Sequence, residues 1–184
     1  EPPGGGDIAR AWGSRGPSGD AGYFIGLHRN KRGIVVDLKN PRGKEIFLRL
    51  VERADVVLEN YRVGALKKLG LGYEVAKSVN PGIIYCSISA YGQQSPDKGL
   101  PGVDGVIQAV SGLMSVNGLP DSEPCKLQVP VVDMVTGYLA SISVLGALAL
   151  RQREGVGQHL DVSMYASAIN LQQMGLATYL HDRE

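Results

Sequence analysis

The sequence predicts an α/β fold, a Rossmann-like parallel sheet with flanking helices, and three observations predict it. Short β-rich runs alternate with segments whose apolar residues recur at helical spacing. One run, "GIIYCSIS" (Gly82–Ser89), is nearly all apolar, as strands buried on both faces of a parallel sheet are. The 10 prolines and 25 glycines suit a loop-rich α/β enzyme better than a helical bundle.

In chain order, "EPPGGGDIARAWGSRGPSGDAGYF" lacks periodicity and reads as a long surface loop. Domains seldom open with so long a loop, and the chain does not start with methionine, so further sequence upstream is expected. Regularity begins at "GIVVDL" (Gly33–Leu38), which predicts a first strand. Asn40 followed by Pro41 predicts a helix start, with Ile46, Phe47, Leu50 and Val51 on its apolar face. "DVVLEN" (Asp55–Asn60) predicts a second strand, Val63 to Lys68 a short helix closed by Gly70, and Gly82–Ser89 a third strand. After the loop "AYGQQSPDKGLPG", helices are expected at about Asp104–Val116 and Asp133–Arg153, then a strand at "HLDVSM" and a helix toward Leu180. No repeat or domain boundary stands out across residues 1–184, which read as one domain.

Composition narrows the function. A net charge of +1 points away from nucleic acid and from a polybasic membrane patch. The apolar run Met134–Leu150 contains Thr136, Ser141, Ser143 and two glycines, so no membrane span is expected from it. The opening "EPPGGGDIAR" is not a signal peptide. Cys86 sits in an apolar run and reads as core; with Cys125 it forms neither a disulfide framework nor a zinc site, and a reducing, cytoplasmic compartment (the mitochondrial matrix in a eukaryote) is expected. The dinucleotide fingerprint, the P-loop and the G-x-S-x-G elbow are all missing. His28, His159 and His181 share no ligand spacing and read as surface or satisfied histidines; no metal is expected.

One acid stands apart. In "QVPVVDMVTGYLASISVLGALALRQREG", Asp133 is followed by no charge until Arg151. It reads either as a helix N-cap or as a nucleophile. At a helix start the dipole is expected to hold it ionised, below a reference pKa of about 3.9. An ionised carboxylate can attack an activated acyl group and form a mixed anhydride.

The landmarks "NKR" before "DLK", "ENYRVG", "LGLGYE", "NPGIIYCSISAYGQ", "SGLMS" and "GVGQHLDVSM" follow one another in an order that resembles the family III CoA-transferases, also called the CaiB/BaiF family. The resemblance covers nearly the whole chain. It implies a transferase that moves CoA from an acyl-CoA to a carboxylic acid through an aspartyl anhydride and an aspartyl-CoA thioester, with acyl-CoA and a carboxylic acid as partners and no ATP. Asp133 matches the family's nucleophile, downstream of "SGLMS". Val36 and Lys39, after the first expected strand, and Asn60, Tyr61 and Arg62, after the second, match its CoA-binding segments; Lys68 matches a basic position that meets a CoA phosphate. Lys31 and Arg32 are secondary candidates near the same edge, and Arg10 fits a "GDxxR" loop.

Some positions depart from the family pattern. Val103 stands where many transferases have tyrosine and the racemases of the family have histidine; valine transfers no proton, which argues against a racemase. Pro2 replaces a basic CoA contact, and Glu1 matches an acid at the end of the family's second strand. An N-terminal strand–helix–strand and the C-terminal small domain are therefore expected to be missing from the chain, and the interlocked homodimer of the family is expected only of a complete protein. A racemase-like isomerase and a non-catalytic CoA-binding fragment remain the alternatives, and the acceptor reading leans to a dicarboxylic or branched acid.

Overall fold

A computed structural model of the chain describes residues 1–182. Where the sequence shows no boundary, the chain divides into two compact units, Glu1–Leu50 and Val51–Glu184.

The first unit is built on Arg10. Its guanidinium pairs with Glu1 (2.7 Å) and Asp20 (3.0 Å) and lies 4.2 Å over the ring of Phe24. The opening segment is thus not the bare loop its sequence suggests. It contains a 3-10 turn, Ile8–Ala11, capped by Asp7, and helix α1, Gly22–Leu27. His28 follows α1 with its ring on Phe24, and its Nδ1 is buried without a hydrogen-bond partner, so this histidine is not the satisfied one expected.

"GIVVDL" forms no strand. It pairs only through one rung with Glu1: the Glu1 amino group donates to Ile34 O at 2.7 Å, and Val36 N–H donates to Glu1 O at 3.1 Å. Helix α2, Pro41–Val51, starts as expected, with Asn40 accepting the Arg42 N–H at 2.9 Å. Gly43 lets it pass the preceding segment, since a Cβ there would lie 1.9 Å from Asp37 O.

The second unit holds a three-stranded parallel sheet in the order β1 (Val56–Glu59), β2 (Ile84–Ser89), β3 (Gln158–Ser163). Between β1 and β2 lie α3 (Ala65–Lys68) and α4 (Tyr73–Val79); Gly70, at φ 74°, makes the left-handed turn that closes α3. Between β2 and β3 lie α5 (Asp104–Val110) and α6 (Val131–Glu154). α5 stops six residues earlier than its sequence suggests because Gly112, at φ 81°, turns the chain out of the helix. The C-terminal helix is two, α7 (Met164–Leu171) and α8 (Gln173–Asp182).

Register explains the core. Cys86, Leu160 and Val162 point to one face of the sheet, where Ala140 and Val144 of α6 cover them. Small residues at the contact let helix and strands approach closely. Arg151, near the end of α6, donates to Gly82 O and pairs with Asp55, just ahead of β2 and β1; Val132, at its start, belongs to the buried cluster against which Ile88, near the end of β2, packs. α6 therefore runs antiparallel to the strands, and its N-terminus lies at their C-terminal edge. By length and composition alone α6 could also cross a bilayer, contrary to the sequence expectation, but its inner face is the cover of this sheet.

Candidate functional site

The C-terminal edge of a parallel sheet gathers the loops that follow the strands, and α/β proteins place their sites there. Three features converge on this edge. After β1, Asn60 donates its side-chain amide to Ile88 O at 2.9 Å, tying the loop to β2. After β2, the turn through Gly92 (φ 96°) is held by Asp161, which accepts the Gln93 N–H at 2.8 Å. Ile88 packs against the buried cluster that includes Val132, and the residue after Val132 is Asp133.

Asp133 is the third residue of α6, with Pro130 at the cap position, so it is not the N-cap that its sequence suggested. The cap comes from α5. The Asp104 carboxylate, buried, accepts the N–H groups of Val132 (2.8 Å) and Asp133 (3.2 Å). Val103 precedes it at the start of α5, 68% exposed, so the position that carries no proton-transferring group adjoins the capping acid.

This arrangement reverses the expected electrostatics. Asp133 has its pKa raised, not lowered: the surrounding protein desolvates the carboxyl, and the negative Asp104 adds repulsion. The helix dipole does not prevail, because a full negative charge already sits on the first N–H groups. The side chain is nevertheless exposed and open to a ligand.

The other residues singled out by the sequence are spread more widely. Tyr61 is 53% exposed, its N–H held by Glu59 at 2.8 Å. Lys68 is exposed at the end of α3. Arg62 lines a cleft of about 470 Å³ with Glu59, Lys67, Tyr73, Tyr85 and His159. By strand register this cleft lies on the sheet face opposite the one α6 covers, and Asp133 does not line it. His159 stacks on Tyr73 at 5.0 Å and bonds Ser87 at 2.9 Å, so it is exposed but partnered. Val36 and Lys39 belong to the other unit: Val36 is half-buried, and the exposed Lys39 has its N–H on Asp37 at 2.9 Å. They follow no strand, so the strand-end argument does not apply to them. Among the described residues no cluster of His, Cys, Asp or Glu could hold a metal ion.

Sequence reasoning missed Asp104 and Gln108. Their i, i+4 spacing and the acid at a helix start were visible, but nothing in the sequence shows that they face the head of a helix starting at Val131.

The fold is that of a parallel α/β protein, with an exposed carboxylate at the head of the helix over the C-terminal edge of its sheet. The chain belongs to CoA-transferase family III, whose sequence profile matches residues 1–184. It is 42% identical to the succinate–glutarate CoA-transferase of Agrobacterium fabrum, over 89% of this chain and 42% of that protein. It is 37% identical to the human succinyl-CoA:glutarate CoA-transferase, over 98% of this chain and 41% of the other, and 38% identical to the acetyl-CoA:oxalate CoA-transferase of Acetobacter aceti, over 96% and 45%. A crystal structure of a CAIB/BAIF family protein from Brucella suis superposes with a TM-score of 0.91 at 38% identity, over 96% of this chain and 48% of that one. The chain thus spans less than half the length of these relatives.

Proposed function

We propose that the complete protein is a CoA-transferase that uses Asp133 as nucleophile and passes CoA from an acyl-CoA to a dicarboxylic acid. The observation that carries this reading is the exposed Asp133 carboxylate in the first turn of α6, at the C-terminal edge of the sheet. An ionised carboxylate that its surroundings stabilise less than water does is the more reactive nucleophile. The relatives named for glutarate and oxalate transfer support the dicarboxylate.

In this reading an Asp133 oxygen attacks the thioester carbonyl, and the C–S bond breaks to give an aspartyl anhydride and CoA thiolate. The thiolate attacks the Asp133 carbonyl; the donor acid leaves and aspartyl-CoA remains. An acceptor carboxylate attacks that carbonyl, thiolate leaves again, and its attack on the acceptor carbonyl yields the new acyl-CoA and restores Asp133. The N–H groups of Val132 and Asp133 are already bonded to Asp104, so these two donors are not free for the oxyanions.

Asn60 fixes the loop beside the site. Tyr61, exposed, offers a face for adenine, and the exposed Arg62 and Lys68 offer charge to phosphates; Val36 and Lys39 are proposed as CoA contacts of the first unit taken by itself. A homodimer is proposed on α6, where Met134, Tyr138, Ile142 and Leu145 form an exposed apolar stripe. The free cysteines fit a reducing compartment.

The test is transferase activity of the complete protein with succinyl-CoA and glutarate or oxalate. Glutaryl-CoA or oxalyl-CoA should form, and Asp133→Asn should lose at least about 10³-fold in kcat/KM. Full activity in Asp133→Asn would reject the assignment.

A further inference from the structure

We propose that Gln108 is a positioning residue for Asp133, an inference that rests on the nucleophile reading above. Gln108 is fully buried on α5, one turn after Asp104. Its Oε1 accepts the Leu127 N–H at 2.9 Å, and its Nε2 donates to Leu127 O at 3.3 Å and to Asp104 Oδ1. The amide has one possible orientation: the Leu127 N–H can only donate and the Asp104 carboxylate can only accept.

The segment 127–133 is therefore pinned at both ends from a single turn of α5. Gln108 holds its entry at Leu127, and Asp104 holds its exit at Val132 and Asp133. Gln108 also fixes the rotation of the carboxylate that does the second task. Without it, the buried Asp104 Oδ1 and both polar groups of the half-buried Leu127 lose a partner. The Asp133 backbone is then held by an acid free to turn.

The titratable groups around this network are Asp104 on α5 and Asp133 on α6; the Lys126 side chain runs along Gly105, and α7, "MYASAINL", adds no acid, lysine, arginine or histidine.

Two variants of the complete protein test the role, read by the rate at which the Asp133 peptide gains mass after mixing with succinyl-CoA. Gln108→Leu should slow that rate roughly 10- to 100-fold in the folded fraction. Gln108→Glu can accept from Leu127 and donate to Asp104 only when protonated. Its rate relative to wild type should thus rise as pH falls from about 8 to 6, while a purely structural residue would leave that ratio flat. An unchanged rate in Gln108→Leu, or a flat ratio in Gln108→Glu, overturns the positioning role while wild-type labelling still supports the nucleophile. No label on wild-type Asp133 overturns both, and two variants that stay unfolded at pH 6 overturn the positioning role by making Gln108 a core residue.

Discussion

The carboxylate of Asp104 accepts the backbone N–H of Asp133 at 3.2 Å, so one acid holds another by its main chain while repelling its side chain. The same contact builds the helix start and sets the charge environment of its exposed acid. Asp104→Asn removes the charge and keeps one amide oxygen for the Val132 and Asp133 N–H groups, while its NH2 replaces the oxygen that accepts from Gln108. Asp133 must be ionised to attack, and Asp104 raises its pKa, so removing the charge lowers that pKa. The acid limb of kcat/KM should move to lower pH in this variant, as a pH–rate profile would show.

The raised pKa also links Asp133 to stability. A carboxyl whose folded pKa lies above its unfolded value favours folding most when protonated, and that contribution is lost as pH rises through the folded pKa. Asp133→Asn should therefore melt higher than wild type at pH 7, and the gain should vanish near pH 3. Calorimetry at the two pH values checks this; a lower Tm at pH 7 would contradict the stated electrostatics.

Arg151 is a clamp at the opposite end of α6. It pairs with Asp55 at 2.7 Å and donates to Gly82 O at 3.1 Å, but the Asp55 side chain is 75% exposed, which leaves the ion pair weak. Arg151→Ala should cost about 1–2 kcal/mol, mostly through the carbonyl bond, and Asp55→Asn should cost less. Urea denaturation of the pair of variants gives the comparison.

Gly157 tests the register of β3. A Cβ there would lie 2.0 Å from Ile83 O, so Gly157→Ala should destabilise by about 3 kcal/mol or more. Gly146, within α6, meets nothing within 4 Å, and Gly146→Ala should stabilise by about 0.4–1 kcal/mol.

Much of this was legible in the sequence. The apolar run at Gly82–Ser89 gave away the central strand, Asn40–Pro41 the start of α2, and the lone acid at position 133 the head of α6. Those signals are local, carried by burial, capping and spacing. "GIVVDL" reads as a strand by the same rules, yet its residues lie outside the named strands and pair with Glu1 through one rung. The direction of the Asp133 shift was also hidden. The helix dipole is written in the helix itself, whereas the opposing charge comes from Asp104, 29 residues earlier, brought near only by the packing of α5 on α6.

The central claim is covalent passage of CoA through Asp133, and oxygen labelling of the complete protein tests it most directly. After a single turnover of succinyl-CoA with ¹⁸O-labelled glutarate, the scheme leaves one acceptor oxygen in the restored carboxylate. Peptide mass spectrometry should find the Asp133 peptide heavier by the mass of one ¹⁸O substitution, and no other carboxylate labelled. Labelled glutaryl-CoA formed with an unlabelled Asp133 would contradict the account.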